Sequence, residues 1–388
     1  MKKLLKITLF IIIFILLLSF FDKLFNPTGT FKEWYQSNGV LELYYQPKDS
    51  IDVLFLGDSS VYSGVSPLEI YEPIGVTGFS YSTPNQKVWS SYYFLKEALK
   101  SQKPKLVFLE TGEFWVSSKS QTGLGIRRAI DSLKFSKNKI DMINDSDYNL
   151  SNYEKLESIF PALRYHSRWS QLDEFDIRKF IQKNQGTYKG FILWKNIQKY
   201  EGNKNKEKKQ DDINITNEDA TNNNLNQNEL NNANRAKREK NSNADLNNKK
   251  DKNLEEQGDT FPDEVKDKLA KIKQLCDSNN CELVLFSMPT PIDWSEEKSK
   301  EISSYAKEKN IKFVDLNIDS KIQIDWNEDY QDAGYHLNIY GAQKVGKFLA
   351  NYIKDNWNLE DHRKDDKYAK WNEILKDYDV YKNDNKKQ

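Results

Sequence analysis

The chain has 388 residues, enough for one large domain or two. Its 58 basic residues balance 58 acidic ones, so the formal net charge is zero and there is no electrostatic case for a nucleic-acid partner. Mean hydropathy is −0.81, too polar for a uniformly packed globule, yet 13% of residues are aromatic, which suits a real core or a binding cleft; one polar segment accounts for much of the polarity.

Lys2, Lys3 and Lys6 precede Ile7 to Phe21, an uncharged run dominated by Ile, Leu and Phe. A cleaved signal would share the basic start but needs a small-x-small cleavage site, and Ser19 to Lys23 offers none. Residues 1–21 are predicted to be an uncleaved, single-pass membrane anchor, with Leu4 and Leu5 extending the apolar span. The lysines stay cytoplasmic, which places everything after Phe21 outside. Residues 22–50 form a polar, aromatic-bearing connector with a turn at Asn26-Pro27-Thr28-Gly29.

Ile51 to Gly57 is a short apolar run, read as a buried strand that breaks into Asp58-Ser59-Ser60. Ser66-Pro67-Leu68-Glu69 has the pattern of a helix start, with Ser66 as N-cap, Pro67 at the first position and Glu69 completing a capping box. Strand, polar turn and helix lift a hydroxyl above the carboxyl edge of a parallel sheet, so Ser59 is the candidate nucleophile. Taken alone, Gly-Asp-Ser is a common loop composition, and Ser59 could equally cap its own turn.

A short strand over Val76–Tyr81 comes next, then a helix begun by Pro84-Asn85-Gln86, then a buried strand over Leu106–Glu110. Strands alternating with helices argue for a parallel α/β sheet. Residues 122–200 are mostly helical in pattern and close the first part of the domain, 51–200. They include Arg164, His166 and Arg168 between aromatic residues, either a surface helix start or a substrate-contacting cluster.

Residues 201–260 contain no aromatic residue, and from 203 to 253 about a third of positions are Asn. Such a stretch cannot bury enough apolar area to offset its conformational entropy and is predicted to be a disordered insertion. The domain resumes over 261–356, with strands at Leu283–Ser287 and Lys312–Leu316 completing a sheet of about five, and a polar, helical tail follows over 357–388. Cys276 and Cys281 flank a short polar loop and fit either a local disulfide or two buried thiols. No Cys/His cluster has metal-ligand spacing, and no metal or cofactor is predicted.

Asp329 to Val345 follows the last strand and precedes an apolar-striped helix. Asp332 and His336 lie in the loop feeding that helix. A carboxylate beside an imidazole holds its tautomer while the other ring nitrogen takes a serine proton.

With Phe55-Leu56-Gly57-Asp58-Ser59-Ser60 after the first strand, Asp332…His336-Leu337-Asn338 with Gly341-Ala342 late in the chain, and the N-terminal anchor, the sequence resembles the SGNH/GDSL hydrolase-like family. More narrowly, it resembles membrane-anchored members related to alginate and teichoic-acid O-acylation proteins. The resemblance covers roughly 51–200 and 261–356. It implies a three-layer flavodoxin-like fold and a triad of Ser59, Asp332 and His336. Asp332 stands four residues before His336 rather than three, so Asp329 is the alternative acid. Asn85 stands where the second-block Gly belongs, and Thr111-Gly112-Glu113 replaces the third-block Gly-x-Asn. Asn85 and the Ser59 N–H are oxyanion candidates; Glu113, Arg164, His166 and Arg168 are candidates for binding substrate.

The implied function is an extracytoplasmic serine esterase or O-acyltransferase, with an acyl donor and an envelope polysaccharide acceptor as partners and a membrane-bound acyltransferase as a further one. The competing expectation is a catalytically inactive binding or assembly protein of the cell envelope that keeps the fold.

Overall fold

The computed structural model describes residues 2–27, 37–116, 123–178, 180–181, 188–200, 261–292, 294–318 and 322–383. The insertion predicted to be disordered, 201–260, lies outside the described residues. Helix α1 spans Lys2–Phe25 and buries none of its residues. Its 24 residues give a rod of about 36 Å, longer than the roughly 30 Å hydrocarbon core of a bilayer. It is long and apolar enough to cross a membrane, a property that signal sequences share.

After the short helix α2 (Asn38–Leu43), strands and helices alternate: β1 (Val53–Gly57), α3 (Ser59–Gly64), α4 (Pro67–Ile74), β2 (Gly78–Ser82), α5 (Val88–Ala98) and β3 (Leu106–Glu110). A helical excursion follows, with α6 (Gly123–Ser132), α7 (Lys137–Ile143), α8 (Asn152–Ile159), α9 (Pro161–Tyr165) and α10 (Glu174–Arg178). The second part contributes α11 (Asp263–Ser278), β4 (Glu282–Ser287), α12 (Glu296–Glu308), β5 (Lys312–Asp315), α13 (Ile339–Asn356) and α14 (Ala369–Asn383).

The five strands form one parallel sheet in the order β2-β1-β3-β4-β5, the flavodoxin-like doubly wound arrangement. The pleat sends alternate residues to opposite faces. Leu54, Leu56, Val107, Leu109, Leu283 and Leu285 pack with Trp89, Phe94, Leu269 and Ile272 of α5 and α11. Val53, Phe55, Phe108, Val284 and Phe286 pack with Val345, Leu349 and Ile353 of α13. This makes three layers and explains why the strands read as unbroken apolar runs, since both faces are covered. Phe55, Phe108 and Phe286 meet at centroid distances of 5.2, 5.8 and 6.3 Å. Burying each such ring contributes about 1.5–3 kcal/mol.

One local expectation changes, and two open ones are filled in. Ser66 is the N-cap of α4, but the capping box is not made. The Ser66 hydroxyl donates to Tyr378 Oη at 3.3 Å, and Glu69 accepts from Tyr378 Oη at 2.9 Å and Lys382 Nζ at 3.1 Å, so α14 captures both partners. The C-terminal segment is thus a packed helix, with Trp371 and Tyr378 buried and Trp371 4.9 Å from the Tyr71 ring. Cys276 and Cys281 are free buried thiols, with Cys281 Sγ donating to the Cys276 carbonyl at 3.3 Å.

Because all the strands are parallel, the loops leaving their carboxyl ends gather along one rim. Ser59, Asn85, Glu113, Met288 and the 322–338 segment are delivered there by the five strands in turn.

Candidate active site

Gly57, the last residue of β1, has no room for a side chain: a Cβ there would stand 2.5 Å from Val61 Cγ2 and 2.6 Å from Glu110 Cβ. Asp58 then caps a helix that the sequence pattern did not show. Its carboxylate accepts the Ser60 N–H at 2.9 Å and the Ser60 hydroxyl at 2.7 Å. Ser59 is the first residue of α3, half-buried, with its N–H in the turn that has no intrahelical acceptors. Among the described residues the Ser59 hydroxyl has no hydrogen-bond partner; its carbonyl accepts from the Ser63 hydroxyl at 2.7 Å.

Behind Ser59 lies a group of carboxylates. Both Glu110 oxygens accept the Gly112 N–H, at 2.9 and 2.8 Å. Burial, reinforced by the Asp58 charge, pushes the Glu110 carboxyl well above the usual range. Glu113 forms an ion pair with Lys87 and feels the negative charge of nearby Asp58. Burial and the Asp58 charge outweigh the Lys87 ammonium and push Glu113 up to about 7.

The late loop folds into a small antiparallel turn. Tyr330 pairs with Leu337, and the Gln331 N–H donates to the His336 carbonyl at 3.0 Å. Ala333 and Gly334 at its tip have φ of 59° and 106°, a left-handed pair that lets the chain reverse. The reversal brings Asp332 against His336. One carboxylate oxygen accepts the His336 backbone N–H at 2.7 Å and the other meets Nδ1 of the ring. Asp329 is turned elsewhere: its buried carboxylate accepts the Asp325 N–H and pairs with Lys344 Nζ, each at 2.6 Å.

Segment 188–200, which carries no recognisable motif, ties the two halves together. The Trp194 ring lies edge-on to His336 at 5.9 Å and to Tyr62 of α3 at 5.8 Å. The Ile192 N–H donates to the Tyr62 carbonyl at 2.7 Å, and the Ile339 N–H to the Trp194 carbonyl at 2.8 Å. Gly64, at the far end of α3, would place a Cβ 3.1 Å from Leu337 Cδ1. Ser59 and His336 are therefore on one rim: Gly64, five residues after Ser59, packs on Leu337, the residue after His336. No hydrogen bond joins them among the described residues.

No family model matches the chain. No curated protein matches it. Among solved structures, it is similar to a Bacteroides fragilis protein provisionally described as an acylhydrolase, with 10% identity and a TM-score of 0.35, over 84% of this chain and 98% of that one.

Asn85 lies exposed just past β2, with φ of 54° in the left-handed region that Asn tolerates. Helix α6 starts against it, since a Cβ on Gly125 would stand 3.1 Å from the Asn85 carbonyl oxygen. The other end of α6 reaches α1, where the Asp131 carbonyl accepts Asn26 Nδ2 at 3.2 Å.

Arg164, His166 and Arg168 are engaged at that end. Arg164 pairs with Asp131 at 3.2 Å and Glu157 at 3.4 Å. Arg168 pairs with Asp176 at 3.0 Å and donates to the Phe25 carbonyl, and His166 Nδ1 lies 2.9 Å from the Leu163 carbonyl. Among the described residues none of the three bonds to the Ser59 or His336 segments. Both arginines are paired with carboxylates of the same chain, Asp131 and Asp176.

Lys87, Glu110, Tyr62 and Trp194 were not among the expected site residues. Glu110 carried a signal, since a carboxylate ending the apolar run Leu106–Glu110 has only the rim to face. Among the described residues no group of three or more His, Cys, Asp and Glu is placed to hold a metal ion.

Proposed function

We propose that the chain is a membrane-anchored serine acyl-transfer enzyme, an esterase or O-acyltransferase, with Ser59 as nucleophile, His336 as general base and Asp332 orienting it. The observation that supports it best is the Asp332–His336 pair standing on the same rim as a half-buried serine hydroxyl that has no hydrogen-bond partner among the described residues. Asp332 at Nδ1 holds the proton on that nitrogen and leaves Nε2 free to accept.

In the proposed reaction, Ser59 rotates toward His336, and Nε2 takes its proton as Oγ attacks the acyl carbonyl. The tetrahedral oxyanion is met by the Ser59 N–H and by Asn85. Collapse expels the donor alcohol with the proton from His336. An acceptor hydroxyl or water, deprotonated by the same ring, then releases the acyl group and regenerates Ser59.

The wider assignment rests on the resemblance and the anchor. The lysines before the apolar run favour an extracytoplasmic domain, and tethering to the bilayer suits a membrane-borne donor. The acceptor in this reading is an envelope polysaccharide, and a membrane-bound acyltransferase is the natural supplier of the acyl group.

One observation favours the second reading, an inactive binding or assembly protein: the missing hydrogen bond between Ser59 and His336. A fluorophosphonate probe separates the two. Labelling of the full chain that disappears in Ser59→Ala supports the enzyme. An unlabelled wild-type chain, or equal labelling of the variant, removes it.

A further inference from the structure

The exit of α1 is clasped by three short elements. Helices α9 and α10 and the 3-10 turn His166–Ser170 all pack on its last turns. Asp22 accepts the Ala162 N–H at 2.8 Å, and Arg168 donates to the Phe25 carbonyl at the carboxyl end of the helix, where a cation suits the helix dipole. The Phe20 ring lies 5.3 Å from Phe180, with Lys23 Nζ 4.5 Å from the same ring. These contacts fix the helix to the domain rather than leaving it on a loose tether.

These elements, and Ile181 just beyond α10, carry large apolar side chains that are exposed. Trp169 is 71% exposed, Ile177 61% and Ile181 83%, and Leu163 on α9 is 43% exposed. Soluble surfaces scatter single apolar residues, but a set gathered on one group of elements marks an interaction surface. What covers it follows from where it sits. The uncharged run of α1 ends at Phe21, and Asp22 and Lys23 mark the level at which the chain leaves hydrocarbon. The clasp surrounds that level, where tryptophan and aliphatic side chains beside charged groups are at home.

We propose that Leu163, Trp169, Ile177 and Ile181 form a membrane-seated collar, inserted at the boundary between lipid headgroups and acyl chains around the exit of α1. This inference rests on α1 being a membrane span, and it assigns the domain a second, non-spanning contact that holds its orientation on the bilayer.

The test uses the full chain in phosphatidylcholine vesicles whose acyl chains carry bromine at defined depths, comparing wild type with Trp169→Phe, a mild change at an exposed position. The chain has nine tryptophans, so Trp169 supplies about one part in nine of the emission. The expected result is bromine quenching of that share in the wild type, strongest for bromines near the headgroup and absent in the variant. If the chain floats with the vesicles but quenching is the same in both proteins, the collar is wrong and the anchor stands. If the chain does not float, the anchor fails and the collar with it. If the chain floats as a dimer that Ile181→Asp dissolves, and Trp169 is unquenched, the patch is an interface between copies and the proposal is overturned.

Discussion

The Asp332 carboxylate grips His336 twice, taking the backbone N–H with one oxygen and Nδ1 of the ring with the other. The acid therefore sets both where the residue starts and which way its ring faces. Asp332→Asn should preserve the turn, since the amide oxygen can still accept the backbone bond, while presenting the wrong partner to the ring. The rate of Ser59 acylation by the fluorophosphonate should fall by about 10⁴-fold, the scale seen when a triad loses its tautomer. A variant labelled as fast as wild type removes Asp332 from the chemistry.

Asp329→Asn should separate structure from chemistry. Its carboxylate holds the Asp325 N–H and Lys344, so the variant should melt earlier by about 1–3 kcal/mol, with acylation close to wild type in the folded fraction. Normal stability together with lost acylation would make Asp329 the orienting acid instead.

Glu113 gives a pH signature. Its carboxyl is raised from 4.5 to about 7. Between those values the folded chain keeps a proton that the unfolded chain has released, so stability falls as pH rises through that window and levels off above it. Glu113→Gln cannot ionise and should flatten this part of the curve, leaving the variant more stable than wild type above pH 7 by up to about 3 kcal/mol. Melting both proteins across pH 4 to 8 checks this; parallel curves would contradict it.

Trp194→Ala should loosen His336 without touching any reacting atom, because its ring is the common neighbour of His336 and Tyr62. Acylation should slow about ten-fold or more, with Trp194→Phe recovering part of the loss. If both variants are equally slow, the ring contact is not what positions the imidazole.

Gly57→Ala should destabilise by about 1–3 kcal/mol, because the new methyl meets Val61 and the β-carbon of Glu110, neither of which can swing aside as a long chain end could. Denaturant midpoints measure the loss, and an unchanged midpoint would mean β1 can shift to admit it.

The strands were legible because a parallel strand buried on both faces has no choice but an unbroken apolar run; Leu106–Glu110 was read to the residue. Helix α3 was not, because Ser59-Ser60-Val61-Tyr62-Ser63-Gly64 has poor helix propensity and is held by the Asp58 cap and the packing of Tyr62. Ser59, Asp332 and His336 stood out because the proposed chemistry needs particular residue types after particular strands. Trp194 and Lys87 did not, since they act through contacts between segments far apart in the chain. Arg164 and Arg168 show what sequence leaves open: a basic, aromatic cluster looks alike whether it awaits a ligand or pairs with Asp131 and Asp176, as these two do. The C-terminal helix had a signal in Trp371 and Tyr378, two turns apart on one side.

Helix α6 leans on Asn85 at Gly125 and on the end of α1 at Asp131, six positions later, a rise of about 9 Å. If α1 spans a bilayer as proposed, α6 acts as a strut between the Asn85 rim and the exit of that span. For a donor embedded in that lipid, encounter is then a two-dimensional problem. Under the proposed acyl-transfer reading, mixing the donor with inert lipid would slow turnover, whereas diluting the vesicles at constant surface density would leave the turnover of each chain unchanged.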